Sequence, residues 1–409
     1  MDFAYSDKVR ALQQQVTAFM DRYVYDAEPV HAQQVHDSGT WHFHPPIMEE
    51  LKAKAKAQGL WNLFLPHPEY GAGLNNLEYS PLCEIMGRSL IAPEVFNCNA
   101  PDTGNMEILA EYGTPEQKKR WLEPMLEGTM RGGFSMTEPE TPGSDPTQLI
   151  SRAERKGKEY IINGHKWFTT NAMHPNCKVL IAMLVTNPDA APYKRASMIL
   201  VPIDAPGVRV ERALPVFNHS EVGGHGEIYY ENVRVPVSNL LGPEGEGFMV
   251  AQARLGPGRI HHCMRAIGGA ERALDLLIQR AQKRWTHGSL LAEKGAVQTM
   301  IAESRIEIEQ ARLLVLYTAW KMDTVGKSEA RREIAMVKNA AARMFQNVTD
   351  RAIQVHGAMG MTNDVPLANL WVYSRLLRLG DGPDEVHNMS IARRELRRME
   401  AVTAAKAAS

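Results

Sequence analysis

Two stretches of the chain combine residue types that could bind a cofactor and move a proton. The first, between Gly132 and Asn171, is rich in glycine and hydroxyl side chains and ends on the aromatic and threonine run 168–170. Backbone N–H groups and hydroxyls of this kind can bind a phosphate and the polar edge of a pyrimidine ring. The second stretch, residues 379–387, carries three acids, of which Asp381 lies between two glycines. The first stretch predicts the wall of a flavin site, and the second offers carboxylates that could take part in proton transfer.

The three acids of the second stretch differ in the local roles that they could have. Asp384 precedes a helical pattern and is well suited to be its N-cap. Glu385 would then lie in the first turn, where acids interact favourably with the helix dipole. Asp381, between glycines, has no such local structural role.

The elements that position these stretches follow three patterns along the chain. Apolar residues recur at helical spacing up to about residue 128, alternating and β-branched runs dominate from about residue 130 to 241, and long amphipathic patterns follow. These patterns predict an α+β protein that is mainly α. The predicted domains are an N-terminal all-α domain (1–129), a middle β-barrel or sandwich (130–241) and a C-terminal four-helix bundle (242–409).

Two local signals give sharper expectations. Thr114 followed by Pro115 predicts the start of a helix, with Thr114 as the cap and proline in the first turn. Asn163 and Gly164 lie between two strand-like runs, and both residue types tolerate positive φ, so they predict a two-residue hairpin.

Composition argues against several classes of protein. The 46 basic and 47 acidic residues give a formal net charge of -1, which provides no basic excess to recruit nucleic acid or anionic lipid. The longest apolar run, residues 179–185, is far shorter than the ~20 residues of a membrane span. Because the first residues also lack a basic and apolar leader pattern, we expect a cytoplasmic protein that does not bind a membrane.

The cysteines and paired histidines do not predict a metal site. The four cysteines lie far apart and form no C-x-x-C pair. The pairs His261-His262 and His42 with His44 have no acid or cysteine at ligand spacing. The sequence therefore predicts reduced thiols, surface or packed histidines, and no bound metal.

The motifs together resemble the acyl-CoA dehydrogenase flavoproteins over perhaps the whole chain. The resemblance is carried by Gly132 to Asn171, by Lys283 to Gly288, by Gln354 to Gly360 and by residues 379–387. It implies a helical, β and helical domain order and an FAD cofactor. In this family the backbone of Met136 and the hydroxyl of Thr137 would bond the flavin pyrimidine edge.

The resemblance also implies a role for each matching residue. Phe168 would cover the flavin ring, Thr170 would bond flavin N5, and Ser144 would lie between the cofactor phosphate and the substrate. The implied cofactor-binding residues are Phe134, Met136, Thr137, Gly143, Ser144, Phe168, Thr169, Thr170, Arg284, Thr286, Gln354, Val355, Gly357, Ala358, Pro383 and Glu385. The loop at 354–360 meets the cofactor of a neighbouring subunit in the family, so a homotetramer, or a homodimer, is implied.

The implied reaction removes an α proton and a β hydride from an acyl-CoA thioester. Asp381 aligns with the catalytic glutamate of the family, and Gly382 would let the backbone approach the thioester. Arg259 matches an arginine near the CoA moiety, so Ser144, Arg259 and Gly382 are the implied substrate-binding residues. An aspartate is one methylene shorter than glutamate, which leaves the acyl-chain specificity open.

Some departures from the family pattern are themselves informative. One residue is inserted between Pro139 and Gly143, and Gly256 stands where aspartate is frequent. These departures resemble the subgroup of family members 10 and 11, which in animals is fused to a kinase-like domain. Its members are linked to longer, branched or 4-hydroxy (4-phospho) acyl-CoAs.

The resemblance implies a place in fatty acid β-oxidation and lipid metabolism, with electrons passed to an electron-transferring flavoprotein. Two alternatives stay open. An aspartate base on this fold also occurs in nitroalkane oxidases, so an oxygen-using flavin oxidase, acting on acyl-CoA or a nitroalkane, is the first. A non-catalytic, flavin-bearing DNA-binding homologue is the second, and the net charge of -1 gives it little support.

Overall fold

The computed structural model describes residues 4–217 and 223–408. Helices dominate both ends of the described chain, and strands dominate its middle. This order confirms the α+β, mainly α class predicted from the sequence. Among the described helices, none has a stretch that is both long and apolar enough to cross a membrane.

The helices before the sheet are short, and several are continued by single π-helical turns. They are α1 (Asp7–Phe19), α2 (Tyr25–Ser38), α3 (Pro46–Ala57), α4 (Asn76–Gly87), α5 (Ala92–Val95), α6 (Asp102–Tyr112), α7 (Pro115–Gln117) and α8 (Glu123–Leu126), with π turns at Met20–Val24 and Lys118–Leu122. The predicted helix start is confirmed, because Thr114 and Gln117 form a capping box and Pro115 is the first helical residue.

The strands and the later helices follow. The strands are β1 (Arg131–Ser135), β2 (Arg152–Lys156), β3 (Glu159–Thr170), β4 (Cys177–Val185), β5 (Ala196–Pro202), β6 (Val208–Ala213), β7 (His225–Pro236) and β8 (Leu240–Leu241). After them come α9 (Gly247–Lys283), a hairpin of β9 (Trp285–Thr286) and β10 (Ser289–Leu290), α10 (Gly295–Val325), α11 (Arg331–His356), α12 (Leu367–Leu377) and α13 (Asp384–Ala408).

The eight strands β1 to β8 form one sheet that is mostly antiparallel. Its order is β6-β7-β3-β2-β4-β5-β8, and β1 pairs in parallel with β4. β4 can pair with three strands because β2 contacts it only where Arg152 faces Val185, at its end. The β4 residues are nearly all buried, as expected for a central strand. The sheet thus brings the ends of β1 and β3 close to each other.

The predicted hairpin at Asn163 and Gly164 is wrong. Both residues lie inside the single 12-residue strand β3, where its register with β7 shifts. A Cβ on Gly164 would lie 2.3 Å from Ser151 Cβ, so the glycine serves a close approach of two segments. The turn that joins β2 to β3 lies earlier in the chain, between Lys156 and Glu159, and includes Gly157, whose φ is 64°.

Residue contacts divide the described chain into two compact units. One comprises the described parts of Met1–Asp21, Leu74–Pro93 and Arg259–Ser409, and it is helical. The other comprises Arg22–Gly73 and Glu94–Gly258 and contains the sheet. The sequence-based boundaries after residues 129 and 241 stay predictions.

The helical unit has a close helix crossing between α4 and α9. A Cβ on Gly268 of α9 would lie 1.9 Å from the carbonyl oxygen of Glu84. A Cβ on Gly87 of α4 would lie 2.3 Å from the carbonyl oxygen of Arg265. Because both positions lack a side chain, the two backbones can come together, and this packing positions the residues of α9 described below.

Candidate functional site

A buried ion pair anchors the loop that follows β1. Lys166 of β3 donates from Nζ to Glu138 Oε1 at 2.8 Å, and both side chains are fully buried. The same ammonium donates to the carbonyl oxygens of Met136 and Met183, each at 2.8 Å. All three ammonium protons therefore have acceptors, which is the condition for burying a charge without a large cost.

The acceptor side of the pair is equally satisfied. Glu138 accepts backbone N–H bonds from Ile150 at 2.8 Å and from Ser151 at 2.9 Å. Burial acts to raise the pKa of Glu138, but Lys166 and these donors bring it below its ordinary value. Burial lowers the pKa of Lys166 to about 8, although Glu138 opposes that shift. The pair ties both ends of the loop 136–151 to the sheet.

The residues at the end of β3 have the backbone and side-chain positions of a binding surface. Trp167 donates its backbone N–H to the carbonyl of Thr137 at 3.0 Å. Phe168 has a φ of 51° and a side chain that is 47% exposed. Thr170 Oγ1 lies 2.9 Å from His225 Nδ1. A bulky residue held at positive φ marks a position whose unusual conformation the surrounding structure must support.

An isoalloxazine ring needs an apolar face and polar groups at its edge, and this surface supplies both. The ring of Phe168 is exposed, Thr170 is two residues away on β3, and Thr137 is hydrogen-bonded through its carbonyl to Trp167. The residues present therefore fit a flavin.

The other predicted cofactor residues of this unit are placed as follows. The Arg254 guanidinium lies over the ring of Phe134, 4.0 Å from its centre. Gly143 and Ser144 are exposed in the loop after Pro139. Thr169 is fully buried and its hydroxyl donates to Ser135 Oγ at 3.4 Å. Strand alternation thus places the side chains of Thr169 and Thr170 on opposite faces of β3.

Asp381 lies in the short connection between α12 and α13, in the helical unit. It has a φ of 55°, and the next residue, Gly382, has a φ of 100°. Two cations, the half-buried Arg259 and the buried Lys338, hold the main chain of this connection. Arg259 donates from Nε to the carbonyl of Asp381 at 2.9 Å, and Lys338 donates to the carbonyls of Gly380, at 2.9 Å, and Leu377.

These cations lie in a poorly solvated environment. Burial lowers the pKa of Arg259, and the charge of Asp381 opposes the shift. Burial likewise lowers the pKa of Lys338, against the charges of Cys263 and Asp381. The Asp381 side chain itself is 22% exposed, so solvent or a ligand can reach it. The main chain is fixed while the carboxylate stays accessible.

A histidine that the sequence analysis set aside is next to this carboxylate. His262 Nε2 lies 3.5 Å from Asp381 Oδ2. His262 Nδ1 lies 3.2 Å from both Tyr373 Oη and Arg265 Nη2. Helical spacing could have indicated this position, since His262 is three residues after Arg259 on α9 and the two share a face.

Asp384, the rival carboxylate, has a structural role, although not the predicted N-cap. It is the first residue of α13 and is buried. Arg378 Nη2 lies 2.8 Å and Arg343 Nε 3.2 Å from its Oδ2. Both guanidinium groups thus bind the same carboxylate oxygen. Glu385 is exposed in the first turn, and Pro383 is half-buried before it.

The remaining predicted cofactor residues lie on the surface of the helical unit. Arg284 is exposed at the end of α9, and Thr286 pairs with Ser289 in the β9–β10 hairpin. Gln354, Gly357 and Ala358 are exposed where α11 ends, whereas Val355 is buried.

The tertiary structure does bring an acid to one of the histidines that lacked one in sequence. Ligand atoms of His44, Glu94 and His174 lie within 4.8 Å of one another. Glu94, however, pairs with Lys52 at 2.9 Å and also with Arg131. Two buried cations on the same carboxylate oppose a metal cation, and His44 Nδ1 is 3.1 Å from His174 Nε2, as in a hydrogen-bonded pair.

Comparison with known proteins agrees with this geometry. Three family models match the chain in order: acyl-CoA dehydrogenase N-terminal domain (residues 6–129), middle domain (133–233) and C-terminal domain (245–396). A solved Mycobacterium abscessus protein assigned as an acyl-CoA dehydrogenase is 50% identical, with a TM-score of 0.94. The match covers 97% of this chain and 100% of that one.

Two curated relatives show the same resemblance at different lengths. The chain is 53% identical to probable acyl-CoA dehydrogenase FadE2 of Mycobacterium tuberculosis, over 99% of each protein. It is 50% identical to acyl-CoA dehydrogenase family member 10 of Mus musculus, over 96% of this chain but only 37% of the mouse protein. Since the models match most of its length and FadE2 matches nearly all of it, the chain belongs to the acyl-CoA dehydrogenase family of oxidoreductases.

Proposed function

We propose that this protein is an FAD-dependent acyl-CoA dehydrogenase that converts an acyl-CoA thioester to the trans-2-enoyl-CoA. Asp381 removes the α proton, and Ser144, Arg259 and Gly382 bind the substrate. When bound, FAD would supply the two-electron acceptor for the β hydride. The observation that carries the proposal is the accessible Asp381 carboxylate on a main chain held by Arg259 and Lys338.

The residues around the proposed base support this role. A general base must hold its carboxylate in one place while leaving a lone pair for the proton that it accepts. Arg259 and Lys338 bind carbonyl oxygens on either side of the Asp381 Cα, so they position the residue through its main chain. Asp384 lies three residues away but is paired with two arginines.

The cofactor would be held by the residues already named on β1, β3 and the loop between residues 136 and 151. Thr137, Phe168 and Thr170 would contact the flavin ring, and Met136, Thr169, Gly143 and Ser144 would provide further contacts. Fixed donors at the pyrimidine edge would stabilise negative charge without reorganisation. Phe134, Arg284, Thr286, Gln354, Val355, Gly357, Ala358, Pro383 and Glu385 complete the proposed set.

The wider setting that we propose is fatty acid β-oxidation in the cytoplasm, with an electron-transferring flavoprotein as acceptor and a homotetramer or homodimer as the assembly. The membership in the family supports these assignments. The acyl chain, including branching or a 4-hydroxy group, is the variable that a substrate panel must resolve.

The test is anaerobic mixing of the purified flavoprotein with short, long, branched and 4-hydroxy acyl-CoAs while the flavin absorbance is recorded. We expect at least one of them to bleach the flavin. Asp381→Asn should keep the flavin and slow this bleaching by roughly 10²- to 10⁴-fold, because the proton acceptor is lost. Bleaching at the wild-type rate would reject Asp381 as the base.

Two controls separate this proposal from its alternatives. Asp384→Asn removes a nearby carboxylate that is already paired, so the bleaching rate of the flavin should stay within a few fold of wild type. Rapid reoxidation of the reduced protein in air, without an acceptor protein, would favour the oxidase. A failure of all acyl-CoAs together with salt-sensitive retention on duplex DNA would favour the DNA-binding homologue.

A further inference from the structure

Three residues of α9 share one face at helical spacing and lie beside the connection that carries Asp381. Arg259 donates to the Asp381 carbonyl, and His262, three residues later, brings its Nε2 to 3.5 Å from Asp381 Oδ2. Arg265, three residues later again, is buried behind His262. The His262 side chain is only 14% exposed, so its ring is held by its neighbours and not by solvent.

The neighbours of His262 determine which ring nitrogen carries the proton. Arg265 Nη2 lies 3.2 Å from His262 Nδ1, and an arginine side chain has only donors. His262 Nδ1 must therefore accept, which leaves the proton of the neutral ring on Nε2. A doubly protonated ring would turn an N–H toward the guanidinium, so the same contact opposes the charged form. Tyr373 Oη also faces Nδ1, at 3.2 Å.

We propose that His262 is a positioning residue for Asp381. The neutral His262 ring presents its Nε2–H to the Asp381 carboxylate, because Arg265 donates to Nδ1. This inference rests on the proposed function and adds a residue to it. The Nε2–H donates to Oδ2 and so holds the carboxylate in one orientation, in which it receives the substrate α proton. His262 keeps its own proton throughout.

The distance of 3.5 Å is about 0.5 Å longer than an ordinary N–H···O bond. Catalytic hydrogen bonds are frequently long in ligand-free structures and shorten when the substrate binds. A donor to a carboxylate favours its ionised form, and a hydrogen bond to a charged group is worth more than one between neutral groups. The arrangement therefore keeps Asp381 ionised and ready to accept a proton.

Other charged and titratable groups lie close to this pair on α9, α11 and α13, besides Tyr373 of α12. Arg259 and Cys263 come from α9, and Lys338 comes from α11. From α13, Asp384 is paired with arginines, and burial lowers the pKa of His387 to about 4, so that ring is neutral near pH 7. Arg259 and Lys338 bind main-chain carbonyls beside Asp381.

The first test measures the tautomer directly and needs no turnover. In the ¹⁵N-histidine-labelled flavoprotein, the His262 signal is identified by its loss in His262→Gln. We expect shifts typical of a neutral ring protonated at Nε2 from pH 6 to pH 8. A ring protonated at Nδ1, or an imidazolium in this range, would overturn the proposal whether or not any acyl-CoA is a substrate.

The second test is the pH profile of anaerobic flavin bleaching. His262→Phe should slow bleaching by roughly tenfold to a hundredfold near pH 7. It should also move the acidic limb of the pH–rate profile about one pH unit upward, because the ionised Asp381 carboxylate loses the Nε2–H donor. His262→Gln, which keeps an N–H donor, should recover part of the rate. If both variants keep the wild-type acidic limb, His262 does not act through Asp381.

Matched variants separate positioning from a loss of structure. His261→Gln changes the adjacent buried histidine, whose ring packs on Tyr79 at 5.0 Å, and it should leave the acidic limb in place. Tyr373→Phe removes one contact to Nδ1 but leaves Arg265, so its effect should be smaller than that of His262→Phe. A wild-type protein that no acyl-CoA bleaches would reject the proposed function, while the tautomer measurement would still decide on His262.

Discussion

Glu138 and Asp381 are both carboxylates in connections that follow regular elements, but their surroundings differ sharply. Glu138 is fully buried and its oxygens accept from Lys166 and from two backbone N–H groups. Asp381 keeps an accessible side chain, and the cations Arg259 and Lys338 bind carbonyl oxygens of its main chain. A carboxylate saturated with buried donors holds a loop in place, whereas one left accessible can accept a proton.

The largest expected effect comes from breaking the saturated pair. Lys166→Met leaves Glu138 as a buried, uncompensated charge, so the free energy of unfolding should fall by about 3–5 kcal/mol. Urea denaturation followed by tryptophan fluorescence measures this change. The double variant Lys166→Met with Glu138→Gln should recover much of the loss. A loss below about 1 kcal/mol for Lys166→Met would show that the pair does not hold the loop.

Acid should destabilise the protein through two buried histidines, His174 and His387. Burial lowers the pKa of His174 to about 3 and that of His387 to about 4. Both rings are neutral above pH 6.5, folded or unfolded, so there they add no pH dependence. As the pH falls below 6.5, the unfolded chain binds protons that the folded protein does not, and stability is lost. By pH 5 the loss should be about 2 kcal/mol for each histidine.

Urea denaturation between pH 7.5 and pH 5 checks this expectation. His174→Gln removes one of the two groups, so its stability should fall less steeply with acid than that of the wild type. Parallel curves for the two proteins would show that His174 does not stay neutral in the folded protein.

A smaller effect is expected from the backbone of the accessible region. Gly382 has a φ of 100°, and a Cβ there would lie 3.1 Å from His387 Nε2. Gly382→Ala should therefore destabilise the protein by about 1–3 kcal/mol. Gly295→Ala is the matched control, since a Cβ at that position meets nothing within 4 Å. Thermal unfolding midpoints should drop for Gly382→Ala and stay level or rise for Gly295→Ala.

The smallest effect on stability should come from the proposed base itself. Asp381→Asn keeps the main-chain contacts, and asparagine tolerates positive φ, so the free energy of unfolding should change by less than about 1 kcal/mol. Glu138→Gln should cost about 3–5 kcal/mol by comparison, because it leaves the Lys166 charge buried without its carboxylate. Urea denaturation of the two variants side by side measures the difference. Equal losses would remove the distinction between a structural and an accessible carboxylate.

Sequence signals predicted local structure correctly where the stabilising contacts are between neighbouring residues. The helix start at Thr114 and Pro115 was predicted and is confirmed, since a capping box and a proline at the first position depend only on neighbouring residues. The hairpin at Asn163 and Gly164 was wrong, because the turn preference of two residues is weaker than their pairing with β7 and the close contact with Ser151. Turn chemistry is thus overridden when a sheet provides more contacts.

The catalytic candidate was accessible from sequence, but its surroundings were not. Asp381 could be selected because it lies between glycines and has no local structural role. His262, Arg265 and Lys338 come from other helices, and no spacing within the chain connects them with Asp381. Even the reason for preferring Asp381 over Asp384 changed, because Asp384 pairs with two arginines instead of capping a helix.

The sequence by itself determined the class of fold, the family resemblance and a set of candidate residues, because periodicity and short motifs are properties of neighbouring positions. Only the tertiary structure decided which carboxylate is saturated and which is accessible. It also places Arg265 beside Nδ1 of His262, which decides the ring nitrogen that carries the proton. Burial and hydrogen-bond partners depend on residues that are distant in the chain, and these distant contacts convert a list of residue types into chemistry.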